Sequence, residues 1–225
     1  MDGGIVATAS PDELRTQLVD AVRELFTAGV MSHSGHANVS ARAEGDTMVI
    51  SNTGRVRQLR PDQFAVVRLD GEVVEGDITP ENMEIVSMHT RVYQTRGDIG
   101  AIIHTHSPAV TGFALANRPL PCRYEALLRF GEAEDVPVVP WAPRGTPESV
   151  EGIVRTVQSH PLTSAVILAN HGLLAFGVRP MDAAPLVEAL EEAAGAELEA
   201  TELGGAVEFP EGALDAVRAG MRRAL

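Results

Sequence analysis

Leu14, Leu18, Val22, Leu25 and Phe26 recur at helical spacing, and this single apolar stripe predicts an amphipathic helix running to Ala28. Ser10-Pro11-Asp12-Glu13 supplies its start, with Ser10 as cap, Pro11 at the first helical position and Glu13 able to close a capping box. Gly29 supplies the left-handed stop. The stretch that follows, SHSGHANVSAR, is polar and contains glycine, and it predicts a loop.

Beyond it the pattern shortens to strands. Residues 47–51 and 64–69 are rich in β-formers, and Asp70-Gly71 between residues 64–69 and 72–74 predicts a tight hairpin. Thr79-Pro80-Glu81 opens a second helix with Ile85, Met88 and Val92 on its buried side and Gly97 at its end; Glu81 in the first turn suits the helix dipole. Residues 101–106 read as a buried strand and 136–141 as another, while Ser107-Pro108 and Thr146-Pro147-Glu148 each open a helix. Residues 165–169 and 173–176 flank a corner at Asn170-His171-Gly172, and a long helix over 182–203 and a shorter one after Pro210-Glu211 close the chain. Helices interleaved with hairpins and single strands predict an α/β domain on a mixed, largely antiparallel sheet, with residues 1–225 forming one domain. No GxGxxG or Walker loop is present, which removes the simplest nucleotide-binding readings.

Charge narrows the partners. The formal net charge of −13 repels phosphate backbones and anionic lipid headgroups, so neither nucleic acid nor membrane is expected as the main partner. The opening residues lack a basic region followed by a long apolar run, and no segment is long and apolar enough to span a bilayer. Cys122 is the only cysteine, so an internal disulfide and a cysteine-based zinc site are excluded; the expected location is cytoplasmic.

The histidines change the picture most. His104 and His106 alternate along one strand and therefore share a face, where they can grip one ion; taken alone, an HxH pair favours the reading of ordinary polar residues at a strand end. His171 sits at a glycine-containing corner that can project it into a shared cavity. Three histidines on a divalent metal such as zinc leave a coordination position open, as in catalytic sites. A cupin would place Glu where Val110 stands, and a metallo-β-lactamase-like site would want a nearby downstream Asp and His where Ser107-Pro108 follows. Beside such an ion a carboxylate could move a proton at carbon and so form an enediolate, and Glu84 on the preceding helix is the candidate base; its alternative is a solvated helix-face glutamate. His33 and His36 are expected to be exposed, His89 packed or supporting, and His160 a partner of a helix C-terminus.

GHANVSAR, SNTGR, HTRVYQTRGDIGAIIHTHSPAV and ILANHGLLAFG, in this order, resemble the class II aldolase/adducin family, of which fuculose-phosphate aldolases are typical. The resemblance runs over most of the chain and combines HxxxY, RxD, HxH and NHG. It implies a three-layer α/β/α fold, a homotetramer, and a zinc ion held by His104, His106 and His171. It also implies a glutamate base ahead of the HxH strand, and a tyrosine from a neighbouring subunit, for which Tyr124 is the nearest counterpart. Asn38, Thr53 and Gly54 match the family's phosphate-holding positions, but its paired serines are replaced near Asn82 and Met83, and Ile85 stands where its glutamate is expected. Because one residue turns a helix by about 100°, Glu84 reaches the metal only if the helix start is reshaped.

The expected function is a metal-dependent aldolase-type lyase acting on a small hydroxy-carbonyl compound, a sugar phosphate or a neutral or carboxylate-bearing analogue. An epimerase or decarboxylase at the same site is the alternative within the family, and a non-catalytic adducin-like interaction protein the alternative from another class. Retention of all three histidines weighs against the last.

Overall fold

The computed structural model describes residues 9–224. The leader expectation for residues 1–8 and the dipole role of the Glu81 side chain lie outside the described residues. The first helix, α1 (Pro11–Thr27), starts with the capping box: the Glu13 backbone N–H donates to Ser10 Oγ, and the Ser10 N–H donates to Glu13 Oε2 at 2.8 Å.

The supposed loop after α1 contains a strand, β1 (Ala37–Ala43). Its composition is polar, but its alternation is that of a strand buried on both faces. Ala37, Val39, Ala41 and Ala43 enter one core, while Asn38, Ser40 and Arg42 face the other side. There Arg42 Nη2 donates to the Tyr93 carbonyl at 2.6 Å and Ser40 Oγ meets the Tyr93 hydroxyl at 2.8 Å, so the buried polar groups are satisfied.

Next come β2 (Thr47–Ser51), β3 (Phe64–Arg68) and β4 (Val73–Glu75), each antiparallel to its predecessor. The Asp70-Gly71 turn is a three-residue reversal rather than a two-residue one: Arg68 donates to the Glu72 carbonyl and Gly71, at φ +99°, donates to that of Arg68. The second predicted helix begins as a 3-10 turn, Pro80–Asn82, and becomes α2 (Met83–Thr95) one turn later.

The remaining elements are β5 (Ala101–Thr105), α3 (Pro108–Ala116), α4 (Glu125–Arg129), β6 (Val138–Val139), α5 (Pro147–Ser159), β7 (Ala165–Leu168), β8 (Gly172–Gly177), α6 (Pro180–Ala200) and α7 (Ala213–Ala224). Thr146 Oγ1 caps α5 by accepting from Ser149 N–H. Ser107 makes no such bond; Glu191 of α6 accepts from Ala109 and Val110 N–H at 2.7 and 3.0 Å and caps α3 from a distance. The strand expected over 136–141 shrinks to β6 because Pro137 and Pro140, lacking N–H, restrict it to a short sheet edge.

The eight strands form one mixed sheet in the order β4-β3-β2-β1-β5-β8-β7-β6, antiparallel except for the β6–β7 pair. Residues on α1, α3 and α6 join one core face of the sheet; residues on α2 and α5 join the other, giving the α/β/α layering. Alternate residues of β2, Met48 and Ile50 against Val49, divide between the two cores. No described helix is long and apolar enough to cross a membrane.

Candidate active site

The sheet register brings five strand ends to one edge. Ala37 at the start of β1 pairs with Thr105 at the end of β5, Thr105 with Leu173 near the start of β8, and Leu168 at the end of β7 with Gly172 and Val139. A cavity of about 710 Å³ opens along this edge, lined among others by Asn38, Gly54, Glu84, His104, His106 and His171.

His104 points from β5 and His106 from just beyond it; His171 comes from the β7–β8 corner, where Asn170 at φ +57° reverses the chain. The glycine after His171 is required by a close approach: a Cβ on Gly172 would lie 2.5 Å from the Thr105 carbonyl oxygen and 3.0 Å from His106 Cδ2. The three ring centroids lie 4.7–5.1 Å apart, and one ligand nitrogen of each ring falls within 4.8 Å of the others.

Backbone carbonyls fix the tautomers. His104 Nδ1–H donates to Leu173 O at 2.8 Å and His106 Nδ1–H to His36 O at 3.0 Å, which leaves Nε2 of both rings with a free lone pair. Burial, and then the neighbouring imidazoles, push His104 well below the usual histidine range and His171 down to about 4; burial also lowers His106. Neutral rings whose ligand nitrogens lie within 4.8 Å of one another suit a divalent ion, so the residues present fit the metal their pattern implies.

A second set of groups supports the cavity wall. His89 and Tyr93, four apart on α2, meet Ser40 of β1 between them: Ser40 Oγ lies 2.7 Å from His89 Nδ1, and His89 Nε2 lies 2.6 Å from Asn38 Oδ1. Burial pushes His89 down to about 3 and the Tyr93 phenol up, so both are neutral. A neutral ring that donates from Nε2 to Asn38 takes its Nδ1 hydrogen bond from Ser40, whose oxygen in turn accepts from Tyr93. The chain thereby orients the Asn38 amide and leaves its Nδ2 donors to the cavity that Asn38 lines.

Glu84 lines the same cavity and pairs with Arg144. The 3-10 turn ends at Asn82, so Glu84 lies in the first turn of the regular helix α2, five residues before His89. Thr53 does not line the cavity; its hydroxyl accepts from Arg55 N–H at 3.2 Å and shapes the turn that presents Gly54. Asn82 Nδ2 donates to Asn52 O at 3.0 Å and ties that turn to the start of α2. Tyr124 stands apart from the cavity, partly exposed at the start of α4, with its hydroxyl 3.5 Å from Glu192. His36 is exposed, as expected, and also lines the cavity, as do Arg55, Trp141 and Arg144, which the sequence did not single out. His160 ends α5 with Nδ1 3.0 Å from Thr156 O, the helix-end role expected of it.

The family description for the class II aldolase and adducin N-terminal domain matches residues 16–198. The chain belongs to this family. It is 31% identical over 183 residues to an L-fuculose phosphate aldolase of Methanocaldococcus jannaschii, covering 80% of this chain and 93% of the relative. It is 30% identical over 182 residues to a 5-methylthioribulose-1-phosphate/5-deoxyribulose-1-phosphate aldolase of Rhodospirillum rubrum, covering 80% and 78%. Among solved structures, an L-fuculose 1-phosphate aldolase superposes with a TM-score of 0.83 at 28% identity over 96% of this chain and 98% of that one. The relatives are named as aldolases, and this member of the family is a class II aldolase-type lyase; the epimerase, decarboxylase and adducin-like alternatives are not favoured.

Proposed function

We propose that this chain is a metal-dependent aldolase-type lyase that cleaves a carbon–carbon bond in a small hydroxy-carbonyl compound, a sugar phosphate being the substrate class named for its relatives. The observation that carries this reading is the convergence of three neutral imidazoles and the Glu84 carboxylate on one cavity. His104, His106 and His171 would hold the ion, and zinc suits three imidazoles with a position left open. Bound there, a divalent ion supplies Lewis acidity toward carbonyl and hydroxyl oxygens. Glu84 moves the proton at the carbon beside the carbonyl. Asn38 and Gly54, with Thr53 shaping the turn, hold the polar or phosphorylated end of the substrate.

Tyr124 lies away from this protomer's cavity, so we assign it to the cavity of a neighbour in a homotetramer, where its phenol would deliver a proton to the departing aldehyde. Light scattering should then give a mass of four chains, and Tyr124→Phe should slow cleavage without loss of metal; a monomer with full activity excludes the shared site. The lone cysteine is in keeping with one domain working in the cytoplasm.

Hydrogen exchange at carbon tests Glu84 directly. With dihydroxyacetone phosphate in deuterated water, the metal-loaded wild type should exchange the carbon-bound proton. Glu84→Gln should keep its metal and exchange at least about 100-fold more slowly; exchange at the wild-type rate would remove Glu84 from the mechanism.

A further inference from the structure

The cavity has a second cationic end. Along the sheet edge, the Thr53–Gly54–Arg55 turn lies on the β2 side of β1, the histidines lie at β5 and the β7–β8 corner, and the segment from Pro140 to Gly145 follows β6 at the opposite side. Arg55 and Arg144 line the cavity from these two sides, with the three histidines between them. In a chain carrying a net charge of −13, two guanidinium groups in one cavity mark a place built for anions.

Arg144 is the more telling of the two. It projects from a segment rich in proline, and its guanidinium is more than half exposed although it pairs with the largely covered carboxylate of Glu84 through Glu84 Oε1. The next residue, Gly145, has φ +77°, and a Cβ there would collide with Glu84 Oε2. Arg144 thus holds one carboxylate oxygen, while the glycine beside it leaves room for the other. Glu84 is the base in the proposed reaction, yet with Arg144 on it the carboxylate is occupied.

We propose that Arg144 is the receptor for a carboxylate or phosphate group of the substrate at the β6 end of the cavity, and that it exchanges Glu84 for that group on binding. The inference rests on the aldolase reading only for the role of Glu84. An arginine fork pairs with either oxyanion, and a guanidinium exposed on one side can engage an incoming anion before it lets go of its own carboxylate. The exchange frees the base only when the correct substrate is present. With Arg55 at the other end, the preferred substrate carries an anionic group on both sides of the carbon–carbon bond that breaks.

The test is calorimetric titration of the metal-loaded full chain with glycolate, glycerol 1-phosphate and glycerol as carboxylate, phosphate and neutral probes. Arg144→Gln should weaken the recognised anion about ten-fold, and Arg144→Lys should recover part of the loss. Glu84→Gln removes the competing carboxylate and should tighten the same anion, whereas glycerol should bind alike in all four proteins. Which anion responds identifies the group as carboxylate or phosphate. Equal anion affinity in wild type and Arg144→Gln, or weakening in both Arg144→Gln and Glu84→Gln as expected of a merely structural ion pair, would overturn the proposal. Retained metal and an unchanged circular dichroism spectrum establish that each variant is folded. Absence of carbon–carbon cleavage with the anion order intact would refute the aldolase reading and leave the receptor standing.

Discussion

Burial sets the charge state of single side chains in this molecule, and Glu132 shows the effect outside the active site. Its carboxyl is fully buried; Oε2 accepts from Ser164 N–H at 2.8 Å while Oε1 has no partner, and burial pushes its pKa up to about 8. The folded state therefore holds a proton that the unfolded chain releases near 4.5. Stability falls as pH rises from 4.5 toward 8, because the unfolded state alone gains from ionisation over that range. Glu132→Gln keeps an acceptor for Ser164 and removes the ionisable group. It should raise the melting temperature at pH 8.5 and give little gain at pH 4.5; an equal gain at both would show that Glu132 is not held protonated. The site histidines obey the same rule with opposite sign: His104 and His171, held neutral by burial, are ready ligands at pH values where exposed histidines would begin to protonate.

At the scale of elements, the site depends on how closely the β7–β8 corner approaches the end of β5. Gly172→Ala would press a methyl group against the Thr105 carbonyl oxygen, a backbone atom that cannot turn aside. The substitution should cost about 1–3 kcal/mol of stability and weaken metal binding by moving His171 away from His106. Unchanged melting temperature and metal affinity would show that the corner is not fixed by this contact. Elements whose signal is local were legible in the sequence: α1 from Ser10, Glu13 and its apolar stripe, α5 from Thr146-Pro147, β5 from its apolar run. β1 was not, because three of its seven residues are polar and their burial depends on His89 and Tyr93, about fifty residues away. The 3-10 turn before α2 was likewise invisible as such, since Thr79-Pro80 signals a helix start without saying which kind of turn follows.

At the scale of the whole molecule, the sheet order explains which site residues could be foreseen. HxH and NHG are short patterns with an obvious metal chemistry, and the antiparallel pairing of β5 with β8 sets their strand ends side by side. Arg55 and Arg144 join them only through a sheet edge assembled from distant parts of the chain, and no spacing in the sequence announces that meeting. Tyr124 carries the converse lesson: it stands away from this protomer's cavity, so the role proposed for it requires a second chain.

The central claim, a three-histidine metal centre, is tested most directly by elemental analysis of the untagged protein beside His106→Ala and His171→Ala. The account predicts close to one divalent ion per chain in the wild type and its loss in both variants, with each variant still folded. A wild type that binds no ion even after reconstitution with zinc, manganese or cobalt would contradict it.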